Sequence, residues 1–172
     1  MTLEALKAGA LLVFAALVQV SITSNVEVAS GTPDVLLVLV IAIALLRGPA
    51  FGAATGFWAG LVLDVVSFQT LGLTSLLLTL AGYFAGRLGE VTKKSSAHPA
   101  LLAVTIGTIG VGLGSAVLHF MLGETVSASE FFAGMLLPTL ALNLLLAYPL
   151  YGLCRRIFPV TPRERRQVIP VV

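Results

Sequence analysis

The sequence is poor in charged side chains, and this shortage excludes an ordinary soluble domain. Only 10% of the 172 residues are Asp, Glu, Lys or Arg, whereas a soluble domain carries about 25%. The apolar fraction reaches 58%, which predicts an integral membrane protein. Membrane spans of about 20 residues each use up almost the whole length. We therefore expect no separate soluble catalytic or binding domain.

Cysteine and histidine are also scarce, and known catalytic motifs are missing. Cys154 stands alone, which excludes an internal disulfide and a cysteine-based metal motif. With six spans and a cytoplasmic N-terminus, His98 and His119 fall on opposite sides of the membrane and cannot share a metal ion. The sequence contains no HExxH, GxSxG, Walker-type phosphate loop or CxxC motif. We expect no enzymatic activity, no metal or cofactor, and no nucleic-acid partner.

Six apolar stretches are bounded by charges, Pro/Gly pairs or short polar loops. They lie at about 6–24, 33–47, 49–67, 71–89, 99–122 and 131–153. One helix over 33–67 would be near 50 Å long at about 1.5 Å per residue, and a bilayer core of about 30 Å does not need that length. Gly48-Pro49 is therefore predicted to be a turn. The predicted fold class is an all-α integral membrane protein, with six transmembrane helices in one compact bundle that forms a single domain over 1–172.

The basic residues predict how these spans are oriented. With six spans and a cytoplasmic N-terminus, all ten Lys and Arg residues fall in cytoplasmic segments, as the positive-inside rule requires. The charged residues of the outside loops are then all acidic: Glu27, Asp34, Glu124 and Glu130. We expect both termini in the cytoplasm. The first span is predicted to be an uncleaved helix, because Glu27 interrupts the only candidate signal-peptidase site.

Glycines recur four residues apart on three of the predicted helices. They are Gly52, Gly56 and Gly60 in the third span, Gly82 and Gly86 in the fourth, and Gly110 and Gly114 in the fifth. This spacing places each set on one helix face, where two backbones can approach closely. Two interpretations are open. The glycines pack inside the bundle, or those of the third and fourth spans receive a partner's transmembrane helix.

Four side chains are candidates for a polar cavity or contact. They are Asp34, Trp58, Asp64 and Asn143. Asn143 lies near the middle of the sixth span, where an amide either joins helices by hydrogen bonds or lines a cavity for a polar ligand. Asp64 follows Gly52, Gly56 and Gly60 at the same spacing of four residues. Each step of four residues is displaced by about 40° around the helix, so Asp64 does not lie squarely on the glycine face. Since it lies near the outer end of its span, Asp64 is expected to be a polar anchor near the interface, or else a contact to a partner or ligand.

The C-terminal segment 155–172, RRIFPVTPRERRQVIPVV, is basic and contains three prolines. Its arginines are Arg155, Arg156, Arg163, Arg165 and Arg166. One interpretation is a cytoplasmic anchor held by anionic lipid headgroups. The other is an extended docking peptide for a cytoplasmic protein, because proline-spaced charged segments stay accessible.

Several short motifs follow one another in an order typical of one family. PDVLLVLVIAIALLRGP (33–49) runs into GAATGFWAGLVLDVVSFQTLGLTSLLLTLAGYFAGRLGE (52–90), and LLPTLALNLLLAYPLYGLCRRIF (136–158) forms the last span. This order resembles MreD, the bacterial rod shape-determining membrane protein family. In that family Pro-Asp opens an apolar helix, and GxxxGFxxGLxxD, LGxxxL and GYxxGxL follow.

The resemblance implies a function in bacterial cell elongation. It implies a non-enzymatic, multi-pass protein of the inner membrane that supports side-wall peptidoglycan synthesis. It also implies contact with MreC, which has one transmembrane helix, and proximity to MreB filaments, the glycosyltransferase RodA and a class B penicillin-binding protein. The leading hypothesis is a scaffold on which a small-residue face receives the transmembrane helix of an MreC-like partner.

Two alternatives belong to other classes of protein. The family is similar in fold to the substrate-binding components of energy-coupling-factor vitamin transporters, which implies an outward-facing cavity lined by Asp64, Asn143 or Trp58. Flipping of a lipid-linked precursor needs cationic groups at membrane depth to hold a pyrophosphate. All ten basic residues map to the cytoplasmic edge, so flipping is the least favoured of the three.

Overall fold

Six α-helices account for most of the residues that the computed structural model describes, namely 2–25, 31–68, 70–92, 98–123 and 134–158. They are α1 (Thr2–Asn25), α2 (Val35–Arg47), α3 (Pro49–Val66), α4 (Leu73–Val91), α5 (His98–Met121) and α6 (Leu137–Ile157). The helical class and the number of helices are as the sequence predicts. Gly48 separates α2 from α3 with a φ of 91°, a backbone conformation that favours glycine. Pro49 then begins α3, because its fixed φ suits a first helical position.

The last helix continues past its predicted end at 153. Helix α6 covers Leu137–Ile157, residues 134–136 precede it in a π-helical turn, and residues 131–133 lie outside the described part of the chain. Arg155 and Arg156 therefore belong to the final turn of α6 and not to an extended tail. Cationic side chains are favourable there, because the C-terminal end of a helix carries partial negative charge.

Helix α2 forms the centre of the bundle. Its residues 36–46 are all buried, and α2 contacts each of the other five helices. A helix that is apolar all round has no face that needs water, so it suits this central position. The other five surround α2 in the order α1, α3, α4, α5, α6, and each contacts the next.

The exterior of the bundle is apolar. Large side chains such as Phe14, Ile106 and Leu145 are exposed, on a scale that soluble monomers avoid. Three described helices are long and apolar enough to cross a membrane: Pro49–Val66, Pro99–Met121 and Gly134–Ile157. Shorter apolar helices cover Leu6–Ser21 and Val35–Arg47. Length, composition and exposure together are those of a membrane protein.

The helices run so that the bundle has two distinct ends. Gly52 of α3 lies against Gly82 of α4, and Gly60 lies against Ser75, so these two helices are antiparallel. The beginnings of α2, α4 and α6 share one end with the final turns of α1, α3 and α5. This end is named the Asp34 end. The opposite one, where α2 finishes, is named the Arg47 end.

Candidate functional site

Five glycines line the contact between α3 and α4, which is named the glycine seam. They are Gly52, Gly56, Gly60, Gly82 and Gly86. A Cβ added at Gly56 would collide with the backbone of Leu78 and Thr79, and one added at Gly60 would collide with the backbone of Ser75. The two helices therefore pack backbone to backbone, which only residues without a side chain allow.

The glycine seam is filled within the chain itself. Gly86 faces the backbone of Pro49, and Gly52 and Gly82 face each other. This is the first of the two interpretations that the sequence left open. A partner's transmembrane helix would have to use another surface, because the glycine faces of α3 and α4 are already occupied.

Asp64 caps the first turn of α4 from the neighbouring helix α3. Its Oδ2 accepts hydrogen bonds from the backbone N–H of Gly72 at 2.8 Å and of Ser75 at 3.4 Å. Gly72 is the N-cap residue of α4 and has no side chain, so the carboxylate of Asp64 takes its place for the N–H of Ser75, the third residue of α4, and also accepts from the N–H of Gly72 itself.

Asp64 lies in the last turn of α3, and its carboxylate is enclosed within the bundle. Its side chain is only 1% exposed, and Oδ1 has no hydrogen-bond partner among the described residues. Ser75 reinforces the same junction, since its hydroxyl donates to the carbonyl of Phe57 at 2.9 Å. Asp64 is therefore a buried link between α3 and α4, placed where the glycine seam ends.

A second group of polar side chains surrounds the start of α2 and is named the polar joint. Its members are Gln19, Asp34, Thr108 and Asn143. Asn143 is 0% exposed, and its Oδ1 accepts from the backbone N–H of Asp34 at 2.7 Å. Its Nδ2 donates to the Thr108 hydroxyl at 3.0 Å. One amide thus links α2, α5 and α6, as expected of a polar group in an apolar bundle.

Gln19 of α1 holds the same segment through its amide. Its Nε2 donates to the carbonyl of Pro33 at 2.9 Å, and its Oε1 accepts from the N–H of Val35 at 2.8 Å. The Asp34 carboxylate accepts from the N–H of Leu37 at 2.9 Å and so serves as the N-cap of α2. The first N–H groups of a helix have no partner within the helix, and here Gln19 of α1 and the Asp34 cap supply acceptors for Val35 and Leu37.

The structure brings together only two of the four predicted polar candidates. Asp34 and Asn143 meet in the polar joint. Asp64 belongs to α3, which does not contact α6 within the described ranges. Trp58 is 63% exposed on the outer face of α3, where its ring meets Phe57 edge to face at 5.9 Å between centroids. Among the described residues, Asp64 and Asn143 therefore belong to two separate groups of hydrogen bonds.

Sequence reasoning missed two members of the polar joint. Gln19 interrupts the apolar run LLVFAALVQV, and that interruption was a usable signal. Thr108 gave none, because threonine is common in membrane helices and its hydroxyl can bond within its own helix. In the described ranges, no group of three or more His, Cys, Asp or Glu side chains could hold a metal ion.

Comparison with known proteins identifies the family. The family model of the rod shape-determining protein MreD matches residues 3–158, which is most of the chain. The chain belongs to the MreD family. It is 40% identical over 90 residues to the cell shape-determining protein MreD of Streptococcus pneumoniae (strain ATCC BAA-255 / R6). That alignment covers 52% of this chain and 54% of the relative, so the chain spans about half the length of the curated relative it matches. No solved structure matches the chain.

In this MreD-family chain, the Arg47 end is basic. The Arg47 guanidinium lies over the Phe158 ring, 5.6 Å from its centroid, a distance typical of cation–π contacts. Arg87 pairs with Glu90 at 3.4 Å, and Arg155 and Arg156 are exposed. Arg163, Arg165 and Arg166 lie outside the described residues.

Family membership links the chain to the determination of cell shape.

Proposed function

We propose that this protein is a non-enzymatic scaffold of the bacterial cell-elongation machinery, located in the inner membrane as a multi-pass protein. It binds an MreC-like protein with one transmembrane helix and supports side-wall peptidoglycan synthesis. MreB filaments, RodA and a class B penicillin-binding protein are its further neighbours. Membership of the MreD family over residues 3–158 is the observation that carries this proposal.

The hydrogen bonds of the polar candidates support a scaffold. Asn143 and Gln19 bond to the segment that begins α2, and Asp64 bonds to the start of α4. Each of these side chains fixes one helix against another, which gives the bundle a defined shape. A rigid bundle with an apolar exterior presents lipid-facing surfaces to other transmembrane helices, and van der Waals packing drives helix association in lipid.

The charges support one orientation of the scaffold. We place the Arg47 end in the cytoplasm, where basic side chains meet anionic headgroups and face the filaments. The Asp34 end then lies on the outer side, towards the site of wall synthesis. Both termini are cytoplasmic in this arrangement.

Deletion and copurification test the function. We expect cells without the gene to lose rod shape and the MreC-like protein to lose its normal position, with both restored by the wild-type gene. The tagged chain should copurify with that single-span protein from native membranes after crosslinking. Normal rods in the deletion strain would contradict the proposal, and copurification with a transporter ATPase instead would support the vitamin-transport alternative.

The orientation can be tested with single cysteines, because the native Cys154 is buried and gives little background labelling. Phe68 is 95% exposed in the turn between α3 and α4. We expect Phe68→Cys to react with a membrane-impermeant maleimide in intact cells, and Arg156→Cys to react only after lysis. The reverse pattern would place the Arg47 end outside.

A further inference from the structure

Central helix α2 is shorter than the helices around it, so its first turn lies in a recess at the Asp34 end. Gln19 bonds to the start of α2 and stands six residues before Asn25, where α1 ends. Asn143 bonds to Asp34 and stands six residues after Leu137, where α6 begins. At about 1.5 Å per residue, both helices extend about 9 Å beyond Asp34. Asp34 therefore lies at the bottom of the recess, with α1 and α6 as two of its walls.

The recess has an incomplete wall between α1 and α6. Both helices bond to the segment that begins α2, yet they do not contact each other within the described ranges. Residues 31–34 cross the space between them, where Gly31 packs against Pro138 and Thr139 of α6. Asp34 remains partly exposed there. A side chain from a neighbouring transmembrane helix can therefore approach Asp34 between α1 and α6.

Two polar groups at this recess have hydrogen-bonding capacity that the chain leaves unused. The Asp34 carboxylate accepts from the N–H of Leu37 through Oδ1, and within the described residues its Oδ2 has no hydrogen-bond or ion-pair partner. The Thr139 hydroxyl is buried and has no hydrogen-bond partner in the same ranges. Thr139 stands four residues before Asn143, on the same face of α6. Both oxygen atoms can accept, so a group with several N–H donors suits them.

The charge of Asp34 calls for a cation from outside the described residues. Ionisable side chains in transmembrane segments pair with an opposite charge or with other polar groups, but the described Lys and Arg residues all lie towards the Arg47 end. A metal ion takes four or more ligands, whereas the described ranges contain no group of three His, Cys, Asp or Glu side chains that could hold one. An organic cation with N–H donors is the better match.

The depth of the recess favours a basic side chain over a lipid headgroup. Helix α6 has 21 residues and is about 31 Å long, which matches a bilayer core of about 30 Å. The ammonium group of a lipid stays in the headgroup layer outside that core, so it remains near the top of the recess. A Lys or Arg side chain carries its charge on a long apolar stem and can reach the bottom.

We propose that Asp34 binds the ammonium or guanidinium group of a basic side chain at the outer end of the MreC-like partner's transmembrane helix; this rests on the proposed function. The cation donates to Asp34 Oδ2 and to the Thr139 hydroxyl. The partner helix lies against the space between α1 and α6, and the ion pair fixes its depth. The contact is selective, because a helix without the cation leaves the carboxylate unpaired.

Asp34→Asn tests the proposal, because Asn caps a helix as well as Asp does but carries no charge. We expect copurification of the full-length single-span partner to fall about tenfold or more, with unfolding at the same SDS fraction as the wild type. Asp34→Ser also keeps a capping oxygen and should lose the partner equally. Asp64→Asn is the matched control, since it removes the same charge from a side chain that is only 1% exposed, and it should keep the wild-type yield. Equal yields from Asp34→Asn and the wild type, or equal losses at positions 34 and 64, would overturn the assignment.

A double-mutant cycle identifies the source of the cation. Each Lys and Arg near the outer end of the partner's transmembrane helix is changed to Gln, alone and together with Asp34→Asn. One of these changes should lower the yield as Asp34→Asn does and add no further loss in the double variant. Full additivity at every position, a partner with no basic residue there, or loss of bound phosphatidylethanolamine instead of the partner would overturn the assignment. If the wild type still copurifies with the partner in those cases, the proposed function survives without it. Absence of the partner from the wild-type preparation would overturn both.

Discussion

The glycine seam and the polar joint hold helices together in opposite ways. The seam joins α3 to α4 because five residues lack side chains, so that backbone meets backbone. The polar joint links α1, α2, α5 and α6 because Gln19, Asp34, Thr108 and Asn143 supply matching donors and acceptors. The seam should therefore reject any added atom, whereas the joint should tolerate changes that keep its hydrogen bonds.

The largest effect is expected when a side chain is added to the seam. Gly56→Val would push its side chain into the backbone of Leu78 and Thr79, so α3 and α4 must separate. We expect a loss of about 3 kcal/mol or more in the free energy of unfolding, measured by SDS titration in mixed micelles. Gly9→Val is the control, because a Cβ at Gly9 meets nothing within 4 Å. Equal loss in both variants would show that the seam is not a close contact.

A smaller loss is expected when one amide of the polar joint is removed. Asn143→Leu keeps the approximate volume but leaves the Asp34 N–H and the Thr108 hydroxyl without their partner. We expect a loss of about 1–2 kcal/mol in the same titration. Adding Thr108→Val should cost less than the sum of the two single changes, because the two side chains share a hydrogen bond. Strict additivity would argue against that bond.

Asp64 combines features of the two regions: it lies where the glycine seam ends, and it links α3 to α4 through a hydrogen bond, as the side chains of the polar joint do. Asp64→Leu removes the acceptor for the Gly72 N–H and should cost about 1 kcal/mol, as the loss of a helix cap does. Asp64→Asn keeps one oxygen acceptor and should stay within about 0.5 kcal/mol of the wild type. Unfolding titrations of the pair distinguish capping from packing, since equal losses would mean that the cap contributes nothing.

The smallest effect is expected outside both regions. Trp58 is largely exposed on α3, and Trp58→Phe keeps an aromatic ring beside Phe57. We expect a change in the free energy of unfolding within about 0.5 kcal/mol and unchanged copurification of the partner. A loss of partner yield without a loss of stability would indicate that this face of α3 contacts the partner.

The helical segments were predictable because apolar composition and the Gly and Pro residues between helices affect the backbone of nearby residues only. Gly48-Pro49 marks a turn by its own backbone chemistry, and the apolar run of α2 indicates a buried helix. The environment of Asp64 was not predictable in the same way. Its sequence position indicated a polar anchor near the end of α3, but not that the turn after α3 brings the N–H of Gly72 to 2.8 Å from its Oδ2 and that the carboxylate is buried.

The sequence by itself determined that the chain is a helical membrane protein of the MreD family, because low charge, apolar run lengths and motif order are properties of neighbouring residues. Only the tertiary structure decided which glycine faces meet and which groups Asn143 joins. Asp34 and Asn143 are 109 residues apart, and the spacing of residues along one helix does not indicate which other helix its face will contact. That choice depends on how the other five helices pack around α2.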